Sequence, residues 1–97
     1  MTTKKYALTD ETRTVFGHTL HRIRALKNFK NIKIGDLGGW IESELNLTQT
    51  DDAWVSSNAR VFGNARVFGD AQVFGNAWVF DDARVSGNAR VSRIYDC

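Results

Sequence analysis

Few residues in this 97-residue chain could bind a metal or carry out catalysis. The two histidines, His18 and His21, are three positions apart, which on a flat strand places them on opposite faces and disfavours a shared metal. The acidic pair at 51–52 offers too few oxygen ligands for Ca²⁺, and the only cysteine, Cys97, has no partner for an internal disulfide. No serine has a base close to it in sequence. We therefore predict no catalytic residue, no cofactor and no metal, and a protein that is not an enzyme.

The composition is that of an ordinary globular domain, with 42% hydrophobic and 25% charged residues. The net charge of +2 is divided evenly between the two halves of the chain, which argues against nucleic acid as a partner. No apolar run approaches the length of a membrane span, and the first ten residues lack the apolar stretch of a signal peptide. We therefore expect a cytoplasmic protein that does not contact a membrane.

A six-residue repeat occupies the second half of the chain. Alanine recurs at every sixth position from Ala53 to Ala89, and valine does so from Val55 to Val91. In a helix, six residues advance by about 240°, so these residues would be scattered around the axis. In a strand, the Ala and Val of one hexad point to the same side, and the residues between them point outward. The Gly followed by Asn or Asp suits a corner, because both tolerate left-handed backbone. Each hexad is therefore predicted to be a short strand and a corner.

This pattern, with an aliphatic residue at the first position and a small one at the fifth as in Val61 to Ala65, resembles the hexapeptide repeat of left-handed β-helix proteins. The resemblance implies an all-β fold: a short left-handed parallel β-helix in which three hexads make one triangular coil. Acyltransferases are the best-known enzymes of that family. They typically carry a catalytic histidine on a coil, and the hexads of this chain contain none.

Two degenerate hexads precede the regular ones. Ile41, Leu45 and Leu47 fit the apolar positions, but Ala53 arrives two positions late, which indicates an inserted loop at 48–51. Nine hexads then give about three coils. The β-helix is predicted over residues 36–97, with regular hexads at 53–94.

Residues 1–35 do not repeat and are predicted to form an N-terminal β-hairpin cap. Two β-like runs, 12–16 and 19–26, flank Gly17-His18. The densest basic run, Arg22 to Lys33, is expected on the solvated side of this cap.

The layout of the chain also resembles a group of small phage and prophage proteins. The resemblance rests on LTDET at 8–12, HRIRAL at 21–26, GDLGGWIES at 35–43 and the NAxVxG hexads. Most members of that group have no assigned activity. The resemblance therefore implies only an architecture and, for a phage-encoded protein, a location in the cytoplasm of the host cell.

Several outward positions of the hexads carry aromatic residues where polar ones are expected. Residues three hexads apart should stack, which places Arg60 beneath Trp78 and Phe62 beneath Phe80 on one face. An arginine over a tryptophan can form a cation–π contact, and a contiguous aromatic patch indicates an interface, unless the cap or the inserted loop folds over it. The predicted interface residues are Trp54, Arg60, Phe62, Arg66, Phe68, Phe74, Trp78, Phe80 and Arg84.

Two functions fit these predictions. The first is a non-enzymatic interaction module that self-assembles as a trimer or dimer and binds or inhibits a host defence protein; the last step is an analogy. The second is a protein that binds or sequesters a nucleotide or acyl-CoA between subunits, with arginines on the phosphate and aromatic rings on the base. Open strand edges near residues 89–94 offer a further route to self-assembly.

Overall fold

The computed structural model describes residues 4–92 and the backbone of residues 94–96, so Cys97 lies outside the described residues. The described residues form eleven strands and one short 3-10 turn, Glu44–Asn46. The strands are β1 Tyr6–Val15, β2 His18–Ala25, β3 Leu37–Ile41, β4 Trp54–Val55, β5 Arg60–Val61, β6 Arg66–Val67, β7 Gln72–Val73, β8 Trp78–Phe80, β9 Arg84–Val85, β10 Arg90–Val91 and β11 Ile94–Asp96. No helix in the described part of the chain is long and apolar enough to cross a bilayer.

Successive hexads belong to three different sheets, so the short strands stack as rungs of a solenoid. Strands β4, β7 and β10 form one parallel sheet and β6 and β9 form another. The third sheet runs β3, β5, β8 and β11 in parallel, and the N-terminal hairpin is added to it in the order β1-β2-β3. The fold is therefore all-β, with parallel strands in its repeat.

The inner columns of Ala and Val are as predicted. From Ala53 to Ala83 and from Val55 to Val85, every repeat alanine and valine is buried, with no more than 2% of its surface exposed. Because stacked hexads carry the same residue at the same inner position, each rung can lie directly on the next, as where Val61 pairs with Val79. The last alanine, Ala89, departs from the prediction: it is exposed, since it lies in the last regular rung of the described chain.

Of the two corner residues in each hexad, the first is the one that adopts the left-handed conformation. The positive φ angles fall on the glycine position, as at Gly63 (68°) and Gly75 (64°), and not on the Asn or Asp that follows. Two hexads lack glycine there, and Ser57 and Asp81 adopt φ of 59° and 57° instead. The position is therefore set by the geometry of the stacked rungs and not by residue preference alone.

The spacing between stacked residues changes twice along the chain. Leu47 bridges to Val67, which is a longer step along the sequence than the step from Trp54 to its partner Gln72. The inserted loop predicted at 48–51 accounts for this change. Ile94 pairs with Trp78, which is a shorter step than any between regular hexads. The prediction of regular hexads as far as 94 is therefore wrong, because the sequence after Val91 lacks the Gly-Asn corner.

The prediction that Leu45 occupies an inner position is also wrong. Leu45 lies in the 3-10 turn and is 75% exposed, while its neighbour Asn46 is fully buried. The turn uses the Asn46 backbone N–H for a bond to Ser43 O. The Asn46 side-chain amide donates to Ala65 O at 2.8 Å in its place, and its oxygen accepts the Glu42 and Ser43 N–H groups. A buried amide thus completes the ladder where the first rung is irregular.

The hairpin predicted around Gly17 is present and begins earlier than predicted, at Tyr6. The β1 end of the hairpin covers the N-terminal end of the solenoid. Tyr6 is buried, and its hydroxyl donates to Leu47 O. The inserted loop meets it there, because the Gln49 side-chain oxygen accepts the N–H groups of Lys5 (2.7 Å) and Tyr6 (3.1 Å).

Lys5 places an ammonium group inside this end of the solenoid. The residue is fully buried, and its Nζ donates to Asp51 O at 2.8 Å and to Ala53 O. The Asp51 carboxylate lies 3.8 Å away. Burial lowers the Lys5 pKa to about 8, although Asp51 and Asp52 act to raise it.

We expect Gly69→Ala to lower the free energy of unfolding more than Gly87→Ala does. Both glycines have positive φ (72° and 64°), so each substitution carries a conformational penalty of about 1–2 kcal/mol. At Gly69 an added Cβ would also lie 2.9 Å from Gly87 N, whereas at Gly87 no atom of the described residues beyond its two chain neighbours lies within 4 Å of an added Cβ. Urea unfolding followed by circular dichroism measures both losses. Equal losses at the two positions would contradict the close rung-to-rung approach.

We expect the free energy of unfolding to rise with pH by about 1 kcal/mol per unit between about pH 8 and 9.5. Lys5 binds its proton less tightly in the folded chain than in the unfolded one, so raising the pH through the folded pKa of about 8 relieves a destabilisation. Above about pH 10 the effect reverses, because burial raises the Tyr6 pKa and the unfolded tyrosine ionises first.

The matched variant for this pH series is Lys5→Met, which keeps the length of the side chain and removes the titrating group. Urea unfolding at several pH values should give this variant a flatter profile than the unmodified chain. If the two profiles have the same slope, another group is responsible for the pH dependence.

Candidate interaction surface

A row of alternating arginines and tryptophans crosses the outer side of the large sheet. The strand register pairs Arg22 with Trp40, Trp40 with Arg60, and Arg60 with Trp78. The guanidinium carbon of Arg22 lies 5.4 Å from the Trp40 ring centre, and that of Arg60 lies 5.3 Å from the Trp78 ring centre. Arg13 of β1 places its own guanidinium 4.7 Å from Trp40. These distances are those of cation–π contacts, and we call this row the Arg–Trp ladder.

A second row of rings lies beside the ladder. Phe62 and Phe80 stack with their ring centres 5.6 Å apart and their planes 11° apart. Phe62 is only 4% exposed, whereas Phe80 and Trp78 are half-buried. Phe62 is buried because Leu20, Trp40 and the end of the hairpin pack against it.

The hairpin turn brings a further ring to this surface. Phe16 and Gly17 form a two-residue turn with φ of 49° and 82°, the combination of a type I′ turn. A bulky side chain at positive φ is strained, and glycine or asparagine is usual at that position. The Phe16 ring lies edge-on to Trp78 at 5.3 Å and remains 76% exposed. The chain therefore holds a large apolar ring in solvent at a strained position.

A hydrogen bond between His18 and Glu42 holds the hairpin turn against the solenoid. His18 Nδ1 lies 2.9 Å from one oxygen of Glu42, and the other oxygen accepts the Gly63 N–H at 2.8 Å. Partial burial acts to raise the Glu42 pKa, but the hydrogen bonds from His18 and Gly63 lower it overall. The His18 ring also packs 5.1 Å from the Phe62 ring. These contacts keep the hairpin over the second row of rings.

Two guanidinium groups of this surface have no described anionic partner. Arg22 is 3.7 Å from the Glu11 carboxylate and donates to Gly38 O. Within residues 4–92, neither Arg13 nor Arg60 lies within 4.0 Å of a carboxylate. Burial, and then the nearby Arg13 charge, lowers the Arg60 pKa. The Arg60 Nε is itself buried without a hydrogen-bond partner.

The predicted pairing of Arg60 with Trp78 and of Phe62 with Phe80 is confirmed. Two of the predicted surface rings are nevertheless covered. Phe62 lies under the hairpin, and Trp54 is 4% exposed because Tyr6 and Phe29 pack against it at 6.4 and 5.3 Å. Neither ring is open to solvent, because the N-terminal segment folds over both, which is the alternative that the sequence analysis left open.

The remaining predicted residues lie on the other two sheets. Phe74 follows β7 and is 36% exposed. Arg66 pairs with Arg84 in the β6–β9 sheet, where both line a cavity of about 460 Å³ together with the half-buried Phe68. The predicted arginines and aromatic residues thus do not converge on one site within the chain.

Sequence reasoning missed Arg13, Phe16, His18 and Trp40. A signal existed for Trp40, because allowing for the insertion before the first regular hexad places it in the same stack as Arg60. No periodic signal marked the other three, which reach the surface only through the fold of the hairpin. His21 lies apart from this surface, with its Nδ1 3.1 Å from Thr9 O.

No group of three or more His, Cys, Asp or Glu side chains within the described residues is arranged to hold a metal.

Residues 59–73 and 83–93 match the family model described as YdcK Beta solenoid repeat. The matched segments contain strands β5 to β7 and β9 to β10, which are regular hexads, and they include none of the hairpin. A search of curated proteins finds no match to this chain. The repeats are thus similar to β-solenoid repeats, in agreement with the observed stacking of parallel strands.

We expect Phe16→Ala to lower the free energy of unfolding by about 0.5–1.5 kcal/mol, the usual contribution of an aromatic pair. It should also raise acrylamide quenching of tryptophan fluorescence. Trp40 and Trp54 are 2% and 4% exposed, so the increase would come from Trp78, whose ring Phe16 covers. Phe74→Ala, on another sheet, is the matched control and should leave quenching unchanged. Equal quenching in both variants would show that Phe16 does not shield Trp78.

Proposed function

We propose that this chain is a non-enzymatic protein-interaction module that binds its partner through one composite surface. The surface consists of Arg13, Phe16, Arg60, Trp78 and Phe80, and we call it the Arg–aromatic surface. The observation that carries the proposal is Phe16, which is 76% exposed at φ 49° and packs edge-on against Trp78. A strained and solvent-exposed ring does not stabilise an isolated chain to the degree that a buried one does, which favours a role in binding.

The residue types and their support also suit an interface. Tryptophan and arginine are the residues that most often dominate binding energy. The exposed rings rest on a buried layer of Leu20, Trp40 and Phe62, so little side-chain entropy remains to be lost when a partner binds. The His18–Glu42 hydrogen bond holds the hairpin part of the surface against the solenoid part.

The proposal also includes the handedness of the solenoid, its number of coils and its biological setting. We propose a left-handed solenoid of about three coils, with three hexads per coil, as the resemblance to hexapeptide-repeat proteins implies; the pairing of each regular hexad with the third one after it supports three hexads per coil. The resemblance to small phage and prophage proteins suggests a host protein, for example one that acts in defence, as the partner. The setting would then be the host cytoplasm.

Self-assembly as a dimer or trimer is the alternative use of the same surface, and a small ligand is the alternative use of another. The arginines Arg66 and Arg84 line the 460 Å³ cavity with Phe68, which suits an anionic ligand such as a nucleotide or acyl-CoA. Native mass spectrometry distinguishes these alternatives. A closed oligomer would assign the surface to self-assembly, and a retained extra mass would indicate a ligand.

The proposal predicts that a displayed library of random peptides yields binders that depend on Phe16. Binding should be lost with Phe16→Ser and retained with Phe74→Ser, which removes an exposed phenylalanine from a different sheet. The loss should be at least about tenfold in affinity, as for a central hot-spot residue. Circular dichroism checks that both variants remain folded. If no binder discriminates between the two variants, the Arg–aromatic surface is not the binding site.

A further inference from the structure

The charge on the Arg–aromatic surface identifies the kind of partner that it fits. Three arginines lie at or beside this surface, and they differ in whether a carboxylate neutralises their charge. Arg22 has Glu11 at 3.7 Å and a hydrogen bond to Gly38 O. Among the described residues, the Arg13 and Arg60 guanidinium groups have cation–π contacts with Trp40 and Trp78, at 4.7 and 5.3 Å, and no carboxylate within 4.0 Å.

The register brings these two unneutralised groups together. Trp40 is paired directly with Arg60 across β3 and β5, and Arg13 lies over the Trp40 ring. Two guanidinium groups therefore lie on neighbouring tryptophans of the Arg–Trp ladder, Arg13 on Trp40 and Arg60 on Trp78, and within residues 4–92 neither lies within 4.0 Å of a carboxylate. Like charges so placed repel each other unless an anion is bound, and guanidinium groups bind carboxylates by paired hydrogen bonds. The Arg60 Nε is buried without a described hydrogen-bond partner, so the terminal nitrogens of this guanidinium are the donors for an incoming carboxylate.

We infer that Arg13 and Arg60 form a receptor for a carboxylate, carried by an acidic segment of a partner protein. This inference rests on the proposed function. The carboxylate lies between the two guanidinium groups, and an apolar side chain next to it in the partner packs on Phe16 and Trp78. Charge complementarity selects the acidic partner, since the surface offers two cations that have no carboxylate partner among the described residues, beside an exposed ring.

A protein segment fits this place better than a free phosphate compound does. The surface is open, with Phe16 76% exposed. The cavity of about 460 Å³ that could enclose a small molecule lies on another sheet, beside Arg66 and Arg84. A carboxylate on a peptide gains the additional contact with the rings, and inorganic phosphate does not.

The test is an NMR titration of the full chain with a blocked tetrapeptide of alternating phenylalanine and glutamate. We expect the Arg60 Nε–H and Trp40 Nε1–H resonances to shift with the added peptide. The matched peptide with glutamine in place of glutamate should bind about tenfold more weakly, because it lacks the charge-assisted hydrogen bonds. NMR detects millimolar binding, so a weak but specific interaction is still recorded.

Three variants complete the test. Arg13→Gln should weaken the glutamate peptide about tenfold, while Arg90→Gln, an exposed arginine of the β4–β7–β10 sheet, should not change its affinity. Arg60→Lys keeps a positive charge that can pack on Trp78. It should lower the affinity for the glutamate peptide, because a lysine cannot bind a carboxylate bidentately.

Several outcomes would overturn the inference. These are no shift at Arg60 Nε, equal affinity for the glutamine peptide, or displacement of the peptide by an equal concentration of inorganic phosphate. If displayed binders depend on Phe16 but not on Arg13 or Arg60, the proposed function stands and this inference fails. If no binder depends on Phe16, the proposed function itself fails.

Discussion

Backbone pairing between stacked rungs is the constraint on which the rest of the structure depends. A strand of two residues is too short to be stable alone, so each rung exists only in contact with the next. Arg60 N donates to Ala77 O at 2.9 Å, and Phe62 N donates to Val79 O at 3.0 Å. This spacing permits only narrow and nearly identical side chains inside, which is why the inner columns consist of alanine and valine. The same closeness explains Gly39 in β3, where a Cβ would lie 2.7 Å from Ala59 O.

The N-terminal end of the solenoid shows how the first rung is completed without another rung beneath it. The Asn46 side chain supplies the donor that an irregular turn withholds, and Lys5 Nζ donates to two carbonyls inside this end. Gln49 pairs with the backbone at the start of the hairpin. Side chains therefore replace backbone groups as hydrogen-bond partners. One consequence is that burial of the Lys5 ammonium group lowers the pKa of this residue.

The register that stacks the inner residues also builds the outer surface. Strands in a sheet lie about 4.8 Å apart, which places an arginine within contact distance of the tryptophan on the next strand. The Arg–Trp ladder combines residues of the hairpin, the first irregular rung and the regular hexads. The hairpin then buries Phe62 and presents Phe16 above it. The outward surface of the chain is thus a joint product of the cap and the repeat.

The repeat and its consequences could be predicted from the sequence because they are local and periodic. A strict period of six determines which residues face inward, and the insertion before Ala53 determines where the stacking shifts. The same period correctly paired Arg60 with Trp78. It failed at Leu45 and at the last strand, where the pattern is degenerate or ends.

Only the tertiary structure decided how the N-terminal segment covers the solenoid. The contacts of Phe16 with Trp78 and of His18 with Glu42 join residues distant in sequence, and such contacts leave no periodic signature. The hairpin covers Phe62, and Tyr6 and Phe29 cover Trp54, so two predicted surface rings are buried. The amino-acid sequence alone thus determined the columns of the repeat, because each hexad repeats the same local geometry. The composition of the binding surface depended on long-range packing of the hairpin, which no single segment encodes.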